Sequence, residues 1–380
     1  MFPREHWQKL IERAWRERSI VWLSGVRRVG KTVLSRSLPD IDYYDCELPR
    51  VRQLMADPEA FLRERRQRRI VLDEIHRLAD PSQLLKIAAD HYPDTRILAT
   101  GSSTLGVSAK FRDTLTGRKR DIWLTPMNAA DLAAFEWEDL RHRLLHGGLP
   151  SFFLSRTFPE SDFQEWVDAY WAKDIQELFR LERRFAFTKL LELLLSQSGG
   201  IFEATRFATP CEVSRQTIVN YLGVLEATLV MHVIRPFSSR RSTELVSAPK
   251  VYAFDTGFVC FARGWHELRQ EDLGILWEHF VLNEIQSRLQ TREICYWRDK
   301  RHHEIDFVYK HRGHNPITIE CKWSAGDFDP GNLLAFRRQY PEGASWVVAP
   351  DIDEEHVRDV KGVTLHYGNL NSLLKELKAA

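Results

Sequence analysis

An eight-residue loop near the amino terminus constrains this chain more than any other feature. Residues 25–32 read Gly-Val-Arg-Arg-Val-Gly-Lys-Thr, behind a short apolar run and ahead of a helix-forming stretch. Gly25 and Gly30 permit positive φ, so successive backbone N–H groups can curl around a phosphate at the start of a helix. Lys31 would place its charge on the β- and γ-phosphates, and the Thr32 hydroxyl would ligate Mg²⁺. This Walker A pattern predicts a nucleotide site.

A second motif supplies the carboxylates that hydrolysis needs. Residues 69–74 read Arg-Ile-Val-Leu-Asp-Glu, an apolar strand that ends in two acids, as a Walker B strand does. We expect Asp73 to hold Mg²⁺ through its water shell and Glu74 to orient and deprotonate the attacking water. The two motifs together indicate nucleotide hydrolysis rather than binding alone.

A further strand-like run at residues 41–46 separates the two motifs, so they do not lie on consecutive strands. This arrangement is typical of the additional-strand division of phosphate-loop ATPases. Another strand, at residues 96–100, leads into Thr-Gly-Ser-Ser. We expect the Ser102 hydroxyl to sense the γ-phosphate from the strand between the two Walker strands, and a plain serine turn is the alternative.

Composition limits the remaining function classes. A chain of 380 residues exceeds one ordinary core, so two or three domains are expected. A formal net charge of +1 does not fit a globally basic nucleic-acid binder, so any such site is regional. The five cysteines are scattered without a CxxC pair, which argues against a zinc site or a disulfide framework. Without a signal-peptide pattern or a membrane-spanning apolar stretch, we expect a cytoplasmic protein with no membrane partner.

The middle of the chain changes character. Residues 152–195 repeat apolar side chains at helical spacing, which predicts a helical lid whose aromatic residues form core. Ser214 is then a candidate N-cap for a helix with a buried stripe, and the strand and arginines that follow resemble a winged-helix hairpin. We expect contacts with the DNA backbone more than with bases, and a protein–protein module is the alternative. The residues expected to contact DNA are Arg215, Gln216, Arg235, Arg240 and Arg241.

The last third carries a third constellation. Asp306 lies on one strand-like run, and alternation places Glu320 and Lys322 on one face of the next. This is the PD-(D/E)xK arrangement, in which Asp306 and Glu320 would hold a divalent metal and Lys322 would orient or activate a water at a phosphate. Glu278 and Glu284, on a preceding helix, are candidates to complete the cluster. The residues alone leave open whether such a domain cuts DNA or only grips it.

These motifs occur in the order and spacing of one bacterial and archaeal group, together with Leu-Thr-Gly-Arg at 115–118 and Gly-Gly-Leu-Pro at 147–150. The chain resembles an AAA+ ATPase of the AAA_14/DUF4143 group over nearly its whole length. The resemblance implies an α/β fold of four parts: an AAA+ phosphate-loop parallel sheet (1–140), a helical lid (141–187), a winged-helix domain (188–255) and a C-terminal restriction-endonuclease-like α/β domain (256–380).

The resemblance also implies ATP and Mg²⁺ as cofactors and a homo-oligomer, expected to be a hexameric ring, with ATP at subunit junctions. Arg118 takes the position of an arginine finger for the neighbour's γ-phosphate, with Arg112 as the fallback. Family motifs have Gln where this chain has His76, and no sensor 2 arginine is evident. The residues expected to contact nucleotide are Gly25, Arg28, Val29, Gly30, Lys31, Thr32, Val33 and Pro150.

Three functions remain open at this point. The first is an oligomeric motor or remodeller of branched or duplex DNA, active in branch migration, unwinding or repair. The second is a STAND-like signalling or defence NTPase whose nucleotide state gates a protein partner, which the Gly-Leu-Pro element and the missing sensor 2 arginine favour. The third is a nuclease regulated by ATP.

Overall fold

The computed structural model describes residues 4–101, 109–137, 139–176, 179, 181, 183–238, 248–311 and 313–379. The predicted sensor Ser102 and the predicted DNA contacts Arg240 and Arg241 lie outside these residues, as does the side chain of Arg112. Among the residues described, no helix combines the length and the apolar character needed to cross a membrane.

A parallel sheet organises the first third of the chain. Its order is β2-β3-β4-β1-β5, and every neighbouring pair is parallel. The run predicted at residues 41–46 forms β2 at the edge of the sheet, so the two Walker motifs lie on non-consecutive strands, as predicted. The strand β4 lies between β1, which leads into the Walker A loop, and β3, which ends at Asp73, so the predicted position of the strand at 96–100 is confirmed. The five strands are β1 (Ile20–Ser24), β2 (Asp42–Asp45), β3 (Arg69–Asp73), β4 (Arg96–Thr100) and β5 (Lys119–Trp123).

Helices cover this sheet, and the central strands are apolar because they are buried on both faces. In β3 only Arg69 retains partial exposure, and in β1 only Ser24 does. Parallel strands end at the same edge of a sheet, so the loops after β1, β3 and β4 converge. The helices of this part are Glu5–Glu17, Lys31–Arg36, Pro49–Leu54, Pro58–Glu64, Pro81–His91, Ala109–Leu115 and Ala129–Ala134.

A helical segment follows, as predicted for the lid. Trp166 and Tyr170 are 1% and 2% exposed, so their predicted core role is confirmed. Between two of the helices, Tyr170–Gln176 forms a π-helical turn, a rare conformation that is frequent at functional sites. The elements of this segment are Leu140–His146, Pro150–Phe153, Glu160–Ala169, Tyr170–Gln176 and Arg184–Ser196.

Two further helices, Ala204–Ala208 and Arg215–Ala227, lie in the region where the sequence predicts a helix-turn-helix. Ser214 caps the second helix, because its side chain accepts a hydrogen bond from the Thr217 N–H at 3.1 Å. The predicted stripe is buried and consists of Ile218, Leu222 and Leu225.

A second, mixed sheet of nine strands spans the rest of the chain in the order β13-β14-β12-β11-β10-β9-β7-β8-β6. The strand β7 pairs parallel with β9, so the predicted boundary between 188–255 and 256–380 passes through one continuous sheet. The strands are β6 (Gly200–Ile201), β7 (Met231–Pro236), β8 (Lys250–Ala253), β9 (Ile294–Arg298), β10 (Glu304–Tyr309), β11 (Ile317–Cys321), β12 (Ser345–Val348), β13 (His356–Val360) and β14 (Val363–Gly368).

Within this sheet β9, β10 and β11 are antiparallel neighbours, and β12 lies parallel to β11 and β14. The longest helix, Gln270–Leu289, packs on the sheet, where the Trp277 indole donates to the Val348 carbonyl at 3.0 Å. The predicted α/β class is thus confirmed for both halves. The helices of this half are Thr256–Arg263, Gln270–Leu289, Gly331–Gln339 and Leu370–Ala379.

Candidate functional site

The Walker A loop has the backbone that its glycines predict. Gly25 has φ +151° and Gly30 has φ +100°, values that side chains rarely tolerate. A Cβ at Gly25 would also lie 2.6 Å from the Leu124 carbonyl oxygen. The helix Lys31–Arg36 begins directly after Gly30, so its N-terminal N–H groups face the loop interior.

The Lys31 ammonium is held inside this loop. Its Nζ donates to the Gly25 carbonyl at 2.8 Å and to the Val26 carbonyl at 3.1 Å. Burial lowers the pKa of Lys31, and the charge of Glu74 acts in the opposite direction. A half-buried cation whose partners are neutral carbonyls is well suited to accept a phosphate in their place.

Asp73 is the centre of a hydroxyl cluster at the end of β3. It is 3% exposed, and its Oδ2 accepts a hydrogen bond from Thr32 Oγ1 at 2.9 Å. The Tyr43 hydroxyl donates to the same oxygen, and Thr100 donates to Oδ1. The structure therefore brings together the predicted pair Thr32 and Asp73, and these two residues have the oxygen ligands that Mg²⁺ prefers.

Thr100 and Tyr43 were not predicted as site residues. Thr100 is fully buried at the end of β4, between the two Walker strands, where the sequence suggested a hydroxyl sensor at Ser102. Its position in the Thr-Gly-Ser-Ser turn was the available signal. Tyr43 gave none, because a tyrosine in a short strand is ordinarily read as packing.

Glu74 follows Asp73 in a left-handed backbone conformation, with φ +53°. Such a conformation is uncommon for a residue with a side chain and is found often at functional sites. His76 lies 3.1 Å from its carboxylate, between Nδ1 and Oε2. Burial alone would raise the pKa of Glu74, but the His76 hydrogen bond and the charge of Lys31 lower it, so the carboxylate is kept ionised as a base must be.

A cavity of 590 Å³ joins these groups to the lid. The Walker A loop, Glu74 and His76 line it on one side, and Pro150, Ser151, Lys173 and Asp174 line it on the other. Its volume suits a nucleotide, since ligand pockets ordinarily have volumes of about 300 to 1,000 Å³. Pro150 is thus at the cavity, as predicted. Lys173 is an exposed cation that the lid presents there, where no sensor 2 arginine was evident.

The lid is fastened to the Walker A loop by three contacts, which we call the loop–lid latch. Arg27 Nε donates to Asp174 Oδ2 at 2.9 Å, and Arg28 Nη2 donates to Glu165 Oε1 at 2.6 Å. The Trp166 indole donates to the Arg27 carbonyl at 3.0 Å. Sequence reasoning missed the acidic partners, although two adjacent arginines inside the loop were a visible signal.

Asp174 is electrostatically strained within this latch. Burial raises the pKa of its carboxyl, although the charges of Arg27 and Lys31 lower it. The side chain is 14% exposed, so water offers little compensation. A carboxylate in this position opposes the arrival of further negative charge.

Arg118 lies away from the chain's own nucleotide cavity. It precedes β5, at the opposite end of the sheet from the Walker A loop, and its guanidinium pairs with Asp90 at 2.7 Å. This location does not bring it to Lys31 or Glu74 of the same chain, as a residue that acts on a neighbouring subunit requires.

The predicted carboxylate cluster of the last third comes together in part. Lys322 Nζ lies 2.9 Å from Glu320 Oε2 and 3.7 Å from Asp306 Oδ2. Glu278 adjoins the pair: burial and the charge of Asp306 raise its pKa to about 7. The same two causes raise the pKa of Glu320 to about 8.

Glu284 does not join this cluster, and its candidacy was wrong. It lies six residues further along the helix, where it accepts a hydrogen bond from the Ala129 N–H and neighbours Arg288. Glu278 and Glu284 are six residues apart, so an α-helix turns them to different faces. Across the described ranges, no three His, Cys, Asp or Glu side chains are grouped so as to hold a metal ion.

A groove of 920 Å³ is lined by two of the predicted DNA contacts. Arg215 and Arg235 line it together with Val219, which is 42% exposed. Gln216 faces solvent and donates to Asn220 Oδ1 at 3.0 Å. The groove is therefore mixed in character: Arg215 and the apolar Val219 lie on the helix Arg215–Ala227, and Arg235 lies on β7.

The parallel sheet with its additional strand, the Walker A loop and the Asp73–Glu74 pair define a phosphate-loop ATPase of the AAA+ class. Three family models match almost the whole chain: an AAA domain (AAA_14) at residues 17–133, a domain of unknown function (DUF8612) at 137–269, and another (DUF4143) at 273–366. The chain thus combines an ATPase domain of the AAA_14 family with a DUF4143 domain.

Two curated relatives are uncharacterized proteins of Mycobacterium tuberculosis and Mycobacterium bovis. Each is 27% identical over 325 residues, which cover 82% of this chain and 72% of the relative. Among solved structures, a Walker-type ATPase of Pyrococcus abyssi is 14% identical with a TM-score of 0.43, covering 69% of this chain and 96% of the other. A STAND protein with a tetratricopeptide repeat sensor from Pyrococcus horikoshii is 12% identical with a TM-score of 0.27, covering 74% of this chain and 45% of the other.

Proposed function

We propose that this ATPase is a nucleotide-gated switch, in which ATP binding releases the loop–lid latch and ATP hydrolysis restores it. The observation that carries the proposal is the ion pair between Arg27, inside the Walker A loop, and Asp174, on the π-helical turn of the lid. A ligand shifts a conformational equilibrium only by interacting differently with the two states. The latch provides that difference.

Charge exchange explains how nucleotide would open the latch. The triphosphate brings several negative charges to Lys31 and Arg27, and the Asp174 carboxylate lines the same cavity. Arg27 then has a stronger anionic partner than a single carboxylate, while Asp174 is repelled. Lys173, beside Asp174, is the lid cation that remains to contact the phosphates.

The chemistry of hydrolysis falls to residues already brought together. Thr32 and Asp73 would hold Mg²⁺, which neutralises phosphate charge when bound. Lys31 binds and orients the β- and γ-phosphates, and Glu74 takes a proton from the attacking water. His76 keeps the Glu74 carboxylate ionised and directed into the cavity.

The signal has a structural path to the rest of the chain. The Gly-Leu-Pro element that ends at Pro150 is held through Gly148, whose N–H donates to Asp255 at 2.6 Å. Asp255 also caps the helix Thr256–Arg263 through the Gly257 N–H at 2.8 Å. A Cβ at Gly148 would collide with Arg143, so this junction is tightly packed. Movement at Pro150 is thereby transmitted to the second sheet.

Hydrogen exchange of the lid tests the switch. In the full chain, addition of a non-hydrolysable ATP analogue with Mg²⁺ should increase exchange in residues 160–176, because the latch that protects them is released. The Lys31→Ala variant, which loses nucleotide binding, is the control and should show no change. Unchanged or increased protection of 160–176 on nucleotide binding would contradict the proposal.

A second function, an ATP-driven remodeller of DNA, is favoured by the capped helix Arg215–Ala227. It presents Arg215 and Gln216 to solvent, and Arg235 lies across the neighbouring groove. Backbone contacts from such cations bring a strong salt dependence. The discriminating experiment is the ATPase rate with single-stranded, duplex and branched DNA. Stimulation by DNA supports a motor, and indifference to DNA together with nucleotide-dependent capture of a protein partner supports the switch.

Oligomeric action is part of the remodeller proposal, with Arg118 as the finger supplied to a neighbouring subunit in a hexameric ring. Its place at the opposite end of the sheet from the chain's own cavity supports that role, for which the guanidinium would have to leave Asp90. The Arg118→Ala variant should bind ATP normally and lose ATP turnover. In the parent, but not in the variant, ATP turnover per chain should rise with protein concentration. If the Arg118→Ala variant hydrolyses ATP at the parental rate as a dilute monomer, Arg118 is not the arginine finger.

A further inference from the structure

Lys250 is a buried cation from outside the predicted nuclease-like domain. It begins β8, pairs with Ile234 of β7, and is 5% exposed. The sequence placed it in the winged-helix region, away from the carboxylates of the last third. Because the second sheet is continuous, the fold carries this lysine into the same cluster.

Its ammonium lies among acidic and phenolic groups. Lys250 Nζ is 2.5 Å from Glu304 Oε1 and 3.6 Å from Glu278 Oε1. It also lies 3.4 Å from the Tyr252 hydroxyl, which itself donates to Glu278. A buried ammonium needs such partners, since an unpaired charge out of water is strongly unfavourable.

The other half of the cluster has a cation of its own. Lys322 neutralises Glu320 and Asp306, and Arg298 lies 3.6 Å from Glu304. The cluster thus has four carboxylates, and its cations are two lysines and one arginine. The carboxylates are those of Glu278, Glu304, Asp306 and Glu320. One oxygen is left over: Glu320 Oε1 is buried and has no hydrogen-bond partner within the described part of the chain.

A divalent metal, which the PD-(D/E)xK resemblance implies, does not fit this arrangement. Such an ion requires several oxygen ligands that converge with an excess of negative charge. Here Lys250 forms ion pairs with Glu278 and Glu304, and its positive charge compensates part of the negative charge that a metal ion would need. We propose that Lys250 is the resident cation of this cluster, and that the chain binds no divalent metal there unless the Lys250 ammonium is removed.

The backbone keeps Lys250 in place. Its strand pairs on both sides, with β7 and with β6, so the lysine cannot be withdrawn without breaking the sheet. Removal of its charge by mutation leaves the carboxylates undercompensated while the strand stays intact. Glu320, Asp306 and Glu278, which are not grouped to hold a metal ion in the described chain, can then rotate toward one another to provide the oxygen ligands that a hard divalent cation takes.

Mn²⁺ binding to the full chain, measured by calorimetry in the absence of nucleotide, tests the proposal. The Lys250→Gln variant should bind one more Mn²⁺ per chain than the parent. Its affinity for Mn²⁺ at the cluster should be at least about tenfold higher than that of the parent. The Lys250→Arg variant keeps the charge and should bind like the parent. The double variant Lys250→Gln/Glu320→Gln should lose the added site. The variant Lys310→Gln, which changes an exposed lysine directly after β10, should gain none.

Three results would overturn the proposal. One is a parental Mn²⁺ site that Glu320→Gln abolishes, since metal and lysine would then coexist. Another is a folded Lys250→Gln variant that binds no more Mn²⁺ than the parent. The third is equal gain in Lys250→Arg, which would show that charge is not the cause. The first comparison needs no change at Lys250, so it decides the question even if Lys250→Gln fails to fold.

Discussion

Asp174→Asn should make ATP bind more tightly, although it removes a polar contact from the nucleotide cavity. The variant keeps the size of the side chain and removes its charge. In the nucleotide-free chain this weakens the pair with Arg27, and in the nucleotide-bound chain it removes a carboxylate that faces the phosphates. Both effects favour the bound state.

The magnitude follows from the burial of the pair. Exposed ion pairs contribute about 0 to 1 kcal/mol, and breaking a buried pair costs about 3 to 5 kcal/mol. Arg27 and Asp174 are 28% and 14% exposed, between these limits, and burial itself opposes the Asp174 charge. We therefore expect the Asp174 charge to disfavour ATP binding by about 1 to 2 kcal/mol, counting the ion pair with Arg27 and the phosphate repulsion together. Since 1.4 kcal/mol is about tenfold in affinity, the Kd for ATP should fall about tenfold.

Calorimetric titration of a non-hydrolysable ATP analogue measures this directly. Glu165→Gln is the matched control, because it removes the charge of the other acidic latch residue, whose side chain is 64% exposed. Its effect should stay within about twofold, as expected of an exposed pair. Thermal unfolding of both variants without nucleotide checks that the lid remains folded.

Weaker ATP binding by Asp174→Asn would refute the reasoning. It would mean that the carboxylate organises the bound state, for instance by orienting Lys173 or Arg27 toward the phosphates, rather than opposing it. Equal effects of Asp174→Asn and Glu165→Gln would also refute it, since burial would then not determine the strength of the latch.

Four further outcomes are expected. Glu74→Gln should bind ATP with parental affinity and lose about 10² to 10⁴ in turnover, measured by phosphate release. His76→Ala should raise the pKa of Glu74 from its lowered value, because its hydrogen bond is lost, so the acid limb of the kcat profile should move to higher pH. Arg4→Ala breaks a pair with Asp131 whose members are 5% and 1% exposed, and should destabilise the chain by about 3 to 5 kcal/mol in denaturant unfolding. If DNA binds, Arg215→Ala should reduce the slope of log affinity against log salt by about one.

The sequence predicted those parts of the site that are local in the chain. The Walker A loop needs glycine backbone, a lysine and a hydroxyl within eight residues, and Asp73 follows a recognisable apolar strand. The latch could not be found in this way, because Asp174 is 147 residues from Arg27 and only the fold brings them together. The role of Lys250 could not be predicted for the same reason. Its role depends on β7 joining β9, which no short pattern indicates.

The contacts of the Walker A loop divide into those that nucleotide leaves alone and those that it must replace. Arg4 Nη1 donates to the Val29 carbonyl at 2.9 Å. This anchor uses a backbone oxygen, whereas phosphates bind the N–H groups of the loop, so it holds the loop equally in either state. The side chains of Lys31 and Arg27 have to change partners, and the latch contacts of Arg28 and Trp166 are released with the lid. Interactions common to both states shift no equilibrium, so the gating free energy resides in that exchange and not in refolding of the loop.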